Sequence, residues 1–289
     1  PHPIDPAATV VPSALPDAPE VRQDLARYYE AILRLDGFVA ELLGELDRQG
    51  LAENTLIVFL SDNGPPFPRA KATAYDSGLR TPLLFRWPHH IAPGALSDSL
   101  VSAIDLAPTL LDAAGVETPT SFQGVSLLPL FRQPATALHP AVYAEKNWHD
   151  FEDRARAVRT LDYLYIRNEY PDVPATPSAD DLIGPTFQTM RRWRDAGKLT
   201  EAQRSIFVAP RPAEELYAVR TDPENLRNLA ADPAYATIRA GLAATLDRWI
   251  RETADQPPAR RSADWFDRET GQPVTAEAKA ALAGRPIRR

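Results

Sequence analysis

Apolar residues recur at spacings of four and three from Val21 through Leu25, Tyr28, Ile32, Leu35, Val39, Leu42 and Leu46, and the run ends at Gly50. That period predicts one long amphipathic helix whose stripe packs on a sheet. Asp17-Ala18-Pro19 marks its start, with Asp17 as N-cap and a proline in the first turn. The pattern then changes to a continuous apolar run, Leu56 to Leu60, which reads as a buried strand, and to a second strand at Pro82 to Arg86. A shorter helix is predicted over Asp105 to Ala114, closed by Gly115. From Ala141 a period of two takes over, in Ala141 to Glu145, Ala155 to Arg159 and Tyr163 to Arg167, with Glu215 to Val219 as an edge strand. These runs predict a small four-stranded antiparallel sheet, covered by a helix from Ala234 to about Glu252. The stretch 170–212 between them reads as an irregular excursion with a short helix around Gln188 to Ala196.

With 289 residues, 44% of them hydrophobic, the chain can bury a sizeable core. The net charge of -7 argues against a nucleic-acid binder, since the basic clusters Arg191-Arg192-Trp193-Arg194 and Arg260-Arg261 are short. The absence of cysteine rules out a disulfide, a zinc–thiolate site or a cysteine nucleophile built from this chain. No apolar run approaches the ~20 residues of a membrane span. The opening, Pro1-His2-Pro3, has neither an initiator methionine nor a signal segment and reads as internal to a longer protein.

Chemistry concentrates after the first strand, in Ser61-Asp62-Asn63-Gly64-Pro65-Pro66-Phe67-Pro68-Arg69-Ala70-Lys71. Open α/β sheets collect ligands at the carboxyl ends of their strands. A carboxylate beside a carboxamide suits an oxygen-seeking cation such as Ca²⁺, and Lys71 lies a short loop away, where it could meet an anionic substrate. The same tetrapeptide, Ser61 to Gly64, is also a good turn, in which Asp and Asn bond their own backbone and Gly supplies positive φ.

The continuation from Lys71 through Tyr75-Asp76-Ser77-Gly78-Leu79-Arg80-Thr81-Pro82 to Trp87-Pro88 resembles the sulfatase family of the alkaline-phosphatase superfamily. There an Asp-Asn-Gly strand end precedes a Lys, a Tyr-Glu-x-Gly-x-Arg-x-Pro segment and a second strand ending in Trp-Pro. Within the family the loop is most similar to the N-sulfoglucosamine sulfohydrolases (heparan N-sulfatases, or sulfamidases), which place Arg where this chain has Lys71. Glu215-Leu216-Tyr217, Asp222-Pro223 and Asn228-Leu229 resemble the family's C-terminal signature. The resemblance implies an α/β fold: part of a central mixed sheet with flanking helices over 1–135, then an antiparallel-sheet subdomain with a helix over 136–254. It leaves 255–289 as a poorly ordered tail.

The activity implied is Ca²⁺-dependent hydrolysis of a sulfate ester or sulfamate on a sugar, such as a heparan-type glucosamine. Its nucleophile would be a formylglycine made from an upstream Cys or Ser. No Cys and no Ser-x-Pro-x-Arg occurs in the chain, which therefore resembles the C-terminal portion of a protein roughly twice as long. Alone it is expected to be inactive and to expose an apolar sheet edge. By the same resemblance Asp62 and Asn63 are Ca²⁺ ligands, and Lys71 contacts a sulfate oxygen. His2 reaches the sulfate or protonates the leaving group, and His149 with Lys146 reads the sugar. Tyr75, Asp76 and Arg80 form a buried ion pair or cap that holds the Lys71 loop. His89, His90 and His139 have no metal-ligand spacing. The implied partner is a sulfated saccharide; a homodimer is compatible, and secretion to a periplasm or the exterior follows from the resemblance alone. Two other functions stay open: a phosphodiesterase or phosphonate hydrolase of the same superfamily, and a non-catalytic sulfated-glycan-binding homologue.

Overall fold

The computed structural model describes residues 3–283. In chain order its elements are α1 (Pro19–Arg48), β1 (Ile57–Leu60), α2 (Asp76–Leu79), β2 (Leu83–Arg86), α3 (Leu106–Ala113), α4 (Leu128–Arg132), β3 (Val142–Trp148), β4 (Glu152–Arg159) and β5 (Tyr163–Asn168). There follow α5 (Ala179–Leu182), α6 (Pro185–Asp195), α7 (Glu201–Arg204), β6 (Glu214–Ala218), α8 (Ala236–Glu252) and α9 (Ala276–Ala283). Among the described residues no helix is long and apolar enough to cross a membrane.

Helix α1 forms where its periodicity places it, but two expectations about it fail. Its N-cap is Ala18, not Asp17. The Asp17 carboxylate is drawn off by Arg22, whose Nη2 donates to Oδ2 at 2.8 Å. The apolar stripe also packs along only part of its length: Val21 and Leu25 are buried, whereas Ile32, Leu35 and Leu42 are exposed. Burial stops because the first turns meet α6, with Thr186 Oγ1 donating to Asp24 at 2.6 Å, while nothing among the described residues covers the later stripe. Strands β1 and β2 pair antiparallel, Ile57 opposite Arg86 and Leu60 opposite Leu83. Leu60 and Leu84 stand exposed on this two-stranded ribbon.

The second sheet follows the alternation. Its order is β3-β4-β5-β6, every neighbour antiparallel. Val158, Tyr165 and Leu216 point to one face and pack with Leu242 and Leu246 of α8. The opposite face carries Ala144, Ala155, Ala157, Leu164, Ile166 and Tyr217, and receives Ala74 and Tyr75 from the segment after Lys71. The alanines matter, because small side chains let that segment approach the sheet closely. A third cluster joins Val21 and Leu25 of α1 to Phe67, to Phe151 at the β3–β4 turn, and to Phe187 and Met190 of α6.

Residues 253–283, after α8, are not a poorly ordered tail. Asp255 accepts from both Arg154 and Arg156, and Phe266 and Ala278 are buried in the third cluster. Aromatic and paired charged groups give this segment enough buried partners to order it.

Candidate active site

The Asp62-Asn63-Gly64 turn is built by local bonds and one close approach. Asn63 N donates to Asp62 Oδ1 at 3.0 Å, Ser61 Oγ donates to Asn63 O at 2.8 Å, and Asn63 Nδ2 donates to Gly64 O at 2.6 Å. The glycine is needed for proximity rather than for positive φ: a Cβ on Gly64 would lie 1.9 Å from Ser77 O. Gly78 answers it from α2, where a Cβ would sit 2.4 Å from Ala70 O. Asp62 is exposed, and its carboxylate and the Asn63 carboxamide oxygen are hard donors of the type Ca²⁺ takes. Ca²⁺ demands about six to eight oxygens, and among the described residues no group of three or more acidic or histidine side chains is arranged to hold a metal ion. The two residues thus fit Ca²⁺ as part of a set.

Lys71 is not a free surface lysine. Its Nζ pairs with Asp180 Oδ2 at 3.0 Å, and its side chain is 20% exposed. His149, at the β3–β4 turn, bonds through Nδ1 to Asp150 Oδ2 at 2.9 Å, and the same oxygen accepts from Ala179 N at 2.7 Å. These bonds draw three distant segments together. The Asp150 hydrogen bond raises the His149 pKa against the opposing effect of burial, and Lys71 and Asp180 act on the same imidazole with opposite signs. Burial pushes the Asp180 carboxyl up, but the Ser178 hydroxyl and Lys71 outweigh it and hold it below the usual range. Its neighbour Asp181 goes the other way, pushed up to about 6 by burial, with Ser178 opposing and the Asp180 charge assisting.

Lys146 belongs elsewhere. Strand register places it opposite Ala155 on the loop-facing side of the sheet, where it pairs with Asp153 at 3.0 Å and not with His149. Burial opposes the Asp153 charge, yet Lys146 and Arg211 together hold its carboxyl below the ordinary range. Lys146, Asp153, Asn168, Arg211 and Glu215 line a small cavity beneath Thr73 to Tyr75. Tyr75 is structural, its hydroxyl donating to Glu215 at 2.9 Å. Asp76 does form a buried ion pair, but with Arg159 at 2.9 Å, whereas Arg80 is exposed. His2 lies outside the described residues. His139 pairs with Asp105 and His89 with Glu53.

Two residues that sequence reasoning missed hold the Lys71 loop. Arg69, 4% exposed, donates to Glu224 O at 2.9 Å, to Asn225 O and to Ser205 Oγ, and its guanidinium lies 4.0 Å from the Tyr75 ring centroid. Asn225, fully buried at φ 54°, accepts from Asp76 N at 2.8 Å. Its place after Asp222-Pro223-Glu224 was a turn signal; its partner 149 residues away was not visible.

The sulfatase family model matches residues 3–116. A second model, N-sulphoglucosamine sulphohydrolase, C-terminal, matches residues 70–173. The chain belongs to the sulfatase family. The two matches overlap across the segment that carries Lys71. An ulvan-active sulfatase of Formosa agariphila is 34% identical over 278 residues, covering 94% of this chain and 46% of the relative. The N-sulphoglucosamine sulphohydrolase of Homo sapiens is 32% identical over 268 residues, covering 88% and 53%. The chain thus spans about half the length of the curated relatives it matches. Among solved structures, BT4656 in complex with its substrate D-glucosamine-2-N,6-O-disulfate aligns with a TM-score of 0.62 and 25% identity over 83% of this chain and 42% of that one.

Proposed function

We propose that this chain forms the Lys71 side of a Ca²⁺-dependent sulfatase site that cleaves a sulfate ester or sulfamate on an amino sugar. The observation that carries the reading is the meeting of Lys71, which lies in the stretch both family models match, with Asp180 beside the His149–Asp150 pair. The substrate class is supported by the glucosamine disulfate named for the aligned structure and by the human N-sulphoglucosamine relative. Asp62 and Asn63 would hold Ca²⁺, which when bound supplies positive field at the sulfuryl oxygens, and the formylglycine expected outside this chain would supply the nucleophile. Lys71 binds a sulfate oxygen, exchanging the Asp180 carboxylate for a sulfuryl group and offsetting the negative charge that builds on the leaving atom. A half-exposed, readily protonated His149 offers a charged donor to a sugar hydroxyl or sulfate. Asp150 fixes its ring orientation by holding Nδ1. The buried Lys146–Asp153 pair supports the loop from below.

The full-length protein tests this directly, by ion chromatography of sulfate released from N-sulfated and 6-O-sulfated glucosamine. Lys71→Ala should lower kcat/KM by about 100-fold or more, the scale for one electrostatic donor at a developing charge. Faster turnover of a phosphonate or phosphate diester than of either sulfated sugar would replace this reading with a phosphoryl-transfer enzyme. Saturable binding of the sugars without any sulfate release would replace it with a glycan-binding protein.

A further inference from the structure

The turn that presents His149 does not hold itself. The β3–β4 ladder is irregular between Lys146 and Trp148, and the closing bond, His149 N to Phe151 O, is 3.5 Å long. Backbone groups at such a turn need partners, and residues 262–268 supply them. Glu152 N donates to Asp264 Oδ1 at 2.7 Å, Arg268 Nη2 donates to Glu152 O at 2.6 Å, and Ser262 N donates to Glu152 Oε2 at 2.8 Å. Trp265 N donates to Asp150 O at 3.0 Å. The Trp265 ring meets Trp148 edge-on at 4.8 Å, and the Arg268 guanidinium lies 5.2 Å from the Phe151 ring centroid. Asp264 and Arg268 are themselves paired at 2.7 Å, so the clamp is rigid.

Trp148, Phe151 and Glu152 are therefore gripped, and Asp150 is held through its backbone carbonyl, whereas among the described residues the segment makes no hydrogen bond to His149. The same segment bends back through Gly271, which packs against Leu182 and Ile183 beside the helix that carries Asp180. It lies beyond the reach of both family matches, which end at residues 116 and 173.

We propose that residues 262–268 are a strap that positions His149 against Lys71 and Asp180, with Asp264 and Arg268 as positioning residues for substrate recognition. This rests on the reading of His149 as a substrate contact. A segment that served packing alone would have no reason to direct two charged side chains at both peptide groups of one turn residue while making no hydrogen bond to the adjacent imidazole. A displacement of about 1 Å at such a group suffices to weaken substrate binding by one or two orders of magnitude.

The test uses the full-length protein with Arg268→Ala, Asp264→Asn and Arg268→Lys, read two ways. The histidine ring resonances are recorded by NMR, with His149 assigned from its loss in His149→Ala, and steady-state kinetics are measured on N-sulfated glucosamine. Arg268→Ala and Asp264→Asn should shift and broaden the His149 resonance and raise KM about tenfold with kcat nearly unchanged. Arg268→Lys, which keeps the charge on a shorter-reaching point donor, should recover part of both effects. If both loss variants keep the parental His149 resonance and KM, even with a lower melting temperature, the strap is packing only and the proposal fails. If His149→Ala itself leaves KM unchanged, the substrate-contact reading fails, and a shifted His149 resonance in the strap variants still shows the strap holding the turn.

Discussion

Replacing Arg69 with alanine should destabilise the protein far more than its place in a loop suggests. The side chain is 4% exposed and donates to Glu224 O, Asn225 O and Ser205 Oγ, with its charge over the Tyr75 ring. A hydrogen bond from a charged donor contributes about 1.5–3 kcal/mol, and the Asn225 carbonyl, in a fully buried residue, would be left without its partner. The cation–π contact adds about 1 kcal/mol. The carbonyl of the exposed Glu224 can turn to water, so we expect a loss of about 3–5 kcal/mol, or roughly 10 °C in melting temperature for a chain of this size. Arg69→Lys should recover less than half, because one ammonium cannot span carbonyls on two successive residues. Urea and thermal denaturation give both numbers. Limited trypsinolysis after Lys71 reports whether the loop itself has come loose. A loss below about 1 kcal/mol for Arg69→Ala would mean that water replaces these bonds, and the reasoning that Arg69 fixes the Lys71 loop would be wrong.

Gly64→Ala should cost about 2 kcal/mol or more, because the clashing atom, Ser77 O at 1.9 Å, is backbone; an unchanged melting curve would contradict the close approach. The His149 imidazole should titrate above its ordinary midpoint, since Asp150 favours the charged form. Its folded pKa is raised, so the pair's stabilisation is complete below about 6.5 and fades as pH rises through the folded midpoint; an Asp150→Asn variant with the parental NMR midpoint would refute this. Asp181, pushed up to about 6, works against the fold once ionised, its favourable contribution being full below about 3.9 and lost as pH climbs through 6. Asp181→Asn should therefore stabilise the protein at pH 7.5, by on the order of 2 kcal/mol, and give no gain at pH 3.5; equal effects at both values would exclude an ionisation origin.

Periodicity alone determined most of the elements. The four strands of the second sheet, helix α8 and helix α1 fall within a few residues of where alternation and the 3.6-residue repeat put them, because each is fixed by which face its own neighbours bury. The Asp62 to Lys71 stretch likewise stood out in the sequence as a candidate site, since strand end, turn residues and cation lie within eleven consecutive positions from Ser61. What periodicity could not show is pairing at a distance. Asp76 meets Arg159 rather than Arg80, and Lys71 meets Asp180 across 109 residues of sequence. Arg69 finds its carbonyls 155 and 156 residues on, and the segment after α8, featureless as sequence, grips the turn beside His149. The extent of burial along α1 was equally hidden, because a stripe states which side of a helix is apolar and not how far its cover reaches. A local pattern records the free energy of burying one face. A charged side chain accepts any complementary group within a few ångströms, and only the tertiary structure decides which group that is.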